Sequence, residues 1–218
     1  MTPIAQPLPH VHDLLLLRSG SVSSAEAVKP DWVTSSPTGS LWVVVRRTIA
    51  PDGFVAVGVR GFNRHERWGG FAALADVRER LRPSQLSFRM ACRTRIAVPA
   101  LAALDWIEGK LGQSELDLGP VGSVGFELAT GEQVVTATSD LDLVLFAPTR
   151  ITRDTARDLW SAIRAAPAKV DVRVETLHCG FSLEEYARKG TEHVLVRLPA
   201  GRQLGADPWA ISAIKDKE

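Results

Sequence analysis

Thr138-Ser139-Asp140-Leu141-Asp142-Leu143-Val144-Leu145 is the stretch that decides the fold of this chain. Leu141, Leu143 and Leu145 alternate with Asp140, Asp142 and Val144, so an extended backbone puts three leucines on one face and both carboxylates on the other. Two residues along a strand separate Cα atoms by about 6.6 Å, near enough for both acids to share one divalent ion or a pair. Without a cation the two charges repel. An isolated Asp-x-Asp is also what a solvated edge strand shows, so its meaning depends on its surroundings.

Upstream, Gly119-Pro120-Val121-Gly122-Ser123-Val124-Gly125-Phe126-Glu127-Leu128-Ala129-Thr130-Gly131 reads as a tight turn into a short helix. Ser123 is expected as its N-cap and Gly131 as its stop. A Gly-Ser at a helix start offers backbone N–H groups and a hydroxyl, which suit a phosphate. Followed by a strand with two acids, the segment resembles the nucleotidyltransferase signature, which expects a third acid on a neighbouring strand. Lys169-Val170-Asp171-Val172-Arg173-Val174-Glu175 supplies candidates, with three valines on one face and Asp171, Arg173 and Glu175 on the other. A helix from about Thr152 to Ala165, apolar at Ala156, Leu159, Trp160 and Ile163, joins the two strands. Asp171 and Glu175 both remain candidates for the third place, and the signature favours the shorter Asp171.

The Gly119–Gly131 string and Ser139-Asp140-Leu141-Asp142-Leu143 are together similar to the malonate decarboxylase holo-acyl-carrier-protein synthase family, also called phosphoribosyl-dephospho-CoA transferase. His12-Asp13-Leu14-Leu15 and Ala56-Val57-Gly58-Val59-Arg60-Gly61, with Arg64 and Arg67 after it, agree, and the likeness runs from about His10 to Trp209. The resemblance implies transfer of phosphoribosyl-dephospho-CoA from 2'-(5-triphosphoribosyl)-3'-dephospho-CoA to a serine on the acyl carrier subunit of malonate decarboxylase, with pyrophosphate leaving. It implies two magnesium ions held by Asp140, Asp142 and Asp171, a grip on the pyrophosphate end from Gly122 and Ser123, and Ser139 orienting Asp140 or touching phosphate. Asp171 is the carboxylate suggested for the serine proton.

The fold expected is α+β: a nucleotidyltransferase-like mixed sheet with helices over residues 93–218, and a smaller α+β domain with a basic loop over 1–92. In the smaller domain, Leu41-Trp42-Val43-Val44-Val45-Arg46-Arg47 and Phe54-Val55-Ala56-Val57-Gly58-Val59-Arg60 form a hairpin about Pro51-Asp52-Gly53. Arg60, Arg64 and Arg67 follow, either as a solvated loop or as forked donors for substrate phosphates. Residues 72–90 read as helix with a break at Pro83, and Pro99 to Leu111 as a helix with Leu101, Leu104, Ile107 and Leu111 on one side. Ser182-Leu183-Glu184-Glu185 has capping-box form, with Gly190 as the stop. Val194 to Leu198 is a strand whose Arg197 lies at the surface or reaches phosphate.

Bulk properties narrow the class. With 26 basic and 25 acidic residues the net charge is +1, which gives no broad field for nucleic acid. The 2 cysteines, Cys92 and Cys179, are too few for a zinc cluster and, with no secretory leader, point to the cytoplasm. The four leucines 14–17 are too short a run to cross a membrane.

Overall fold

The structure, a computed structural model, describes residues 8–18, 22–24, 28–34, 40–61, 66–112 and 114–212. The chain is α+β and divides into two compact units, Met1–Arg82 and Pro83–Glu218. The sequence reading sets the division at 92/93. The intervening segment joins the second unit through Glu108, which accepts from the Ser87 hydroxyl at 2.9 Å and from the Phe88 N–H at 2.8 Å.

The first unit is a six-stranded antiparallel sheet. Its elements in chain order are β1 (Leu14–Arg18), β2 (Val22–Ser23), α1 (Asp31–Thr34), β3 (Ser40–Val45), β4 (Phe54–Arg60), β5 (Arg67–Ala73) and β6 (Val77–Leu81). The sheet order is β2-β5-β4-β3-β1-β6. Leu15, Leu17, Val43, Val45, Val57 and Val59 alternate inward and pack with Trp68 and with Val33 of α1. The expected β3–β4 hairpin is present. Residues 72–90 are not the helix expected of them. They hold the end of β5, β6 and short 3-10 turns at Leu74–Asp76, Pro83–Gln85 and Phe88–Met90. Helix propensity differs among ordinary residues by only a few tenths of a kcal/mol each. Burying Ala72 completely and pairing all seven residues of β5 with β4 outweighs it.

The second unit is a mixed sheet in the order β12-β11-β10-β9-β8-β7. Its elements are α2 (Pro99–Leu111), β7 (Asp117–Pro120), α3 (Gly122–Thr130), β8 (Leu141–Phe146), α4 (Arg153–Ile163), β9 (Val170–Glu175), β10 (Gly180–Ser182), α5 (Leu183–Ala187), β11 (Val194–Leu198) and β12 (Gly201–Gly205). Only β8 and β9 run parallel, joined by the α4 crossover; the other pairs are antiparallel. Leu141, Leu143, Leu145, Val172 and Val174 are all 0–1% exposed, so the leucine and valine faces read from the alternation form the core. Helix α2 packs on β8 and α4, α4 on α5, and α5 on β9. Thr152 caps α4 by accepting the Thr155 N–H at 3.0 Å. The Tyr186 hydroxyl donates to Ile151 O just before α4, and Trp209 Nε1 donates to Ala147 O just after β8. Phe181 joins those two rings in edge-to-face contacts at 5.3 Å.

Three local expectations shift. Pro120 lies in an edge strand paired to β8 rather than in a turn. Helix α3 starts at Gly122, with Val121 as N-cap and no side-chain cap bond, so Ser123 lies inside the first turn. Helix α5 is capped by Ser182 as its sequence form indicates, but ends at Ala187, short of Gly190.

Candidate active site

The parallel pairing of β8 with β9 sets Asp142 directly opposite Asp171, with side chains on the face away from the leucine core. Asp140 stands two positions before Asp142 at the mouth of the strand. The same register sets Glu175 opposite Phe146, four positions along, and lays its carboxylate over Gly180. The register thus brings Asp171, not Glu175, to Asp142.

The loop from β7 into α3 approaches from the other side. The Val121 N–H donates to Asp142 O at 2.9 Å, and Gly122 sits against the Asp142 side chain with φ +62°. Only glycine adopts that φ at little cost. A Cβ on Gly125 would lie 2.5 Å from Pro120 O, so glycine lets α3 press onto β7. No side chain caps α3, so no side chain takes up the N–H groups of its first turn, which begins at Gly122 against Asp142. Gly122 is exposed there and Ser123 half-buried.

The acids repel one another. Burial first, then the charge of Asp140, then that of Asp171, push the Asp142 carboxyl above the usual carboxylate range; Arg173 and Lys169 oppose the rise. Lys169 Nζ donates to Asp140 Oδ2 at 3.1 Å, and an Arg173 guanidinium nitrogen lies 3.5 Å from Asp171 Oδ2. Among the described residues, no three His, Cys, Asp or Glu side chains are placed so as to hold a metal ion. Asp140 and Asp171 instead turn to these cations. The donor set itself, all carboxylate oxygen, suits a hard cation such as magnesium.

The loop between α3 and β8 is held from below by a residue the sequence reading passed over. Glu127 is 6% exposed and accepts four hydrogen bonds. Two come from Arg95 at 3.0 and 3.1 Å, two from the Val134 and Val135 N–H groups at 2.9 and 2.7 Å. Arg95 also donates to Val135 O. The available signal was an acid on the face of α3 that carries Val124 and Leu128. Beyond this clamp, Ser139 Oγ accepts the Thr136 N–H at 3.0 Å and closes the turn that delivers Asp140.

Arg197 lies on β11, opposite Gly180 on one side and Arg202 on the other. In the first unit, Arg60 and Arg67 face each other across β4 and β5. Arg64 lies outside the described residues.

Phosphoribosyl-dephospho-CoA transferase MdcG C-terminal domain matches residues 71–208, and the corresponding N-terminal domain matches residues 10–83. The chain belongs to this family. A phosphoribosyl-dephospho-CoA transferase of Pseudomonas putida (strain W619) is 38% identical over 203 residues, 92% of this chain and 95% of its own. That of Pseudomonas aeruginosa is 37% identical over 207 residues, 95% of this chain and 97% of its own. That of Azotobacter vinelandii is 35% identical over 205 residues, covering 93% and 95%. No solved structure matches the chain. As a member of this transferase family, the chain keeps its acids and its Gly-Ser loop inside the span of the C-terminal match. No helix of the described residues is long and apolar enough to cross a membrane.

Proposed function

We propose that this family member moves phosphoribosyl-dephospho-CoA from 2'-(5-triphosphoribosyl)-3'-dephospho-CoA to a serine of the malonate decarboxylase acyl carrier subunit, in the cytoplasm. The observation that carries the reading is the register of Asp142 with Asp171, beside Gly122, in a chain of this family. The serine oxygen attacks the α-phosphorus, a phosphodiester forms, the bond to the β-phosphate oxygen breaks, and pyrophosphate leaves.

Each step makes a demand on the residues. Charge builds on the α-phosphate and on the departing oxygen, so the site needs positive charge there and in-line placement. Asp140, Asp142 and Asp171 would hold magnesium, which when bound would supply that charge and lower the pKa of the serine hydroxyl. The first-turn N–H groups of α3, at Gly122 and Ser123, grip the pyrophosphate end, and their position beside Asp142 keeps it next to the acids. Lys169 and Arg173 pair with Asp140 and Asp171 and hold these carboxylates at the site. Asp171 takes the serine proton. Ser139 acts by holding the turn before Asp140 rather than by touching phosphate. Arg60, Arg64 and Arg67 serve phosphates of the substrate.

Incubation with magnesium chloride, the triphosphoribosyl donor and apo carrier, followed by mass measurement of the carrier, tests the reading. The carrier is expected to gain one phosphoribosyl-dephospho-CoA and to release one pyrophosphate. An unchanged carrier, with ATP turned over onto some other acceptor, would assign the acids to a different nucleotidyl transfer.

A further inference from the structure

The sheet face that carries Asp142 and Asp171 continues past β9 onto the edge hairpin of β11 and β12. Glu175 of β9 faces Gly180 of β10, Gly180 faces Arg197 of β11, and Arg197 faces Arg202 of β12. Cross-strand partners share a face, so both arginines stand on the face of the acids. Two positions along, level with Arg173, Leu195 and Leu204 face each other on that same face. Strands β11 and β12 lie two and three strands from β9, about 10 and 14 Å. Between them and β9, β10 presents Ser182 and Gly180, so the approach is low.

This strip is open and its charge is unanswered. Leu195 is 37% exposed and Leu204 69%, an apolar pair standing in water. Among the described residues neither Arg197 nor Arg202 forms an ion pair. Burial, then Arg173, then Arg202, hold the Arg197 guanidinium below its ordinary pKa, and only Asp171 opposes. Glu175, the acid on this row, is 4% exposed with its carboxylate over Gly180, so a visiting surface meets the arginines instead. Exposed apolar side chains beside unpaired cations complement a protein surface with carboxylates around an apolar anchor.

The position of the strip says which protein. In an in-line transfer the attacking oxygen meets the phosphorus opposite the departing group. The pyrophosphate end is gripped on the β7 side of the acids, at the start of α3. The serine oxygen therefore comes from the β9 side, where Asp171 takes its proton. Its acceptor is a protein, and the chain around the serine must lie over the surface beside Asp171. In sheet order that surface is β10, β11 and β12.

We propose that Leu195, Leu204, Arg197 and Arg202 dock the acceptor carrier subunit, through carboxylates and an apolar side chain beside the receiving serine. The inference rests on the transferase reading and adds to it the surface on which the protein substrate lands. The leucines take the apolar side chain and the arginines take the carboxylates. Arg202, on the edge strand, also steers the encounter.

Steady-state loading of apo carrier, with carrier and donor varied in turn, tests this on the full chain. The variants are Arg202→Glu, Arg202→Lys, Leu204→Ser, and Arg202→Glu combined with Leu204→Ser. Arg164→Glu, at the end of α4, controls for reversal of one charge. All three positions are exposed, and thermal melts matching the parent establish that the variants fold. Arg202→Glu and Leu204→Ser should each raise the KM for carrier by about tenfold, with kcat and the KM for donor within about twofold of the parent, as expected of uniform binding. Arg202→Lys, which keeps the charge, and Arg164→Glu should match the parent. Added sodium chloride should raise the parent's KM for carrier more than that of Arg202→Glu. A parent-like KM for carrier in the double variant would overturn the docking surface and leave the transferase reading standing. A raised KM for donor with the KM for carrier unchanged would overturn it too, in favour of a donor contact. If the parent loads no carrier, calorimetry with apo carrier separates the two readings. Binding that depends on Arg202 and Leu204 would then keep the docking surface while the transferase reading falls, and no binding would overturn both.

Discussion

A Cβ placed on Gly122 would lie 2.5 Å from the Oδ2 atom of Asp142. The loop before α3 and the acid on β8 are therefore in contact through the one residue type that leaves room for both, and each limits how far the other can move.

Gly122→Ala should for that reason harm activity more than stability. A positive φ costs alanine about 1 kcal/mol, while a carboxylate displaced by about 1 Å loses on the order of 100-fold in rate. Gly131→Ala is the comparison, since Gly131 has φ +77° but nothing within 4 Å of its Cβ position. It should lose similar stability and no activity. Equal rates of carrier loading in the two variants would remove the steric link between loop and acid.

Asp142→Asn should stabilise the ion-free protein in a pH-dependent way. The native pKa of Asp142 lies above its unfolded value. Below the ordinary carboxylate range both states are protonated and the group costs folding nothing. The cost enters as pH rises through that range and is complete above the native value. Thermal melts in chelator should therefore show the variant ahead of the parent by a few degrees at pH 8 and level with it at pH 3. Its transfer rate should fall by about 100-fold or more, several kcal/mol of lost charge stabilisation. A melt advantage that is flat with pH would contradict the charge argument.

Glu127→Ala should lower the unfolding free energy by about 2–4 kcal/mol, since it strands two loop N–H groups and leaves the half-buried Arg95 cation without its partner. Denaturant midpoints measure this. Glu127→Gln, which keeps an acceptor but not the charge, should fall between. If Glu127→Ala melted like the parent, the clamp would hold nothing.

Arg60→Ala should raise the KM for the triphosphoribosyl donor more than it lowers kcat, as expected of a group that binds phosphate equally in the ground and transition states. Steady-state kinetics with the donor varied decides this, and an unchanged KM would return Arg60 to a structural part in the first unit.

Period-two alternation made β8, β9, β3 and β4 readable, because one face of each is buried and every second residue records it. Caps and periodicity did the same for α2 and α4. Reading failed where pairing outweighs propensity. Residues 72–81 are rich in Ala, Leu, Arg and Glu, yet those on either side of the Leu74–Asp76 turn form strands, because β4 and β1 offer ladders to join. Strands β10 and β12 are short, and neither Gly180–Ser182 nor Gly201–Gly205 shows a pattern by itself. At the site, the three acids could be read from alternation and a resemblance. The holders could not: Lys169 on Asp140, Arg173 on Asp171 and Arg95 on Glu127 are partners chosen by the fold, up to 32 residues apart.

The α4 crossover has a further consequence. Because β8 and β9 run parallel, their acids sit at the same end only after the chain has travelled back along the whole sheet, and neither strand alone carries the full set. A cut in the turn after α4, at residues 164–168, would yield two fragments that are each inert. Any activity on mixing them would report reassembly, making this connection the natural point at which to build a two-piece sensor.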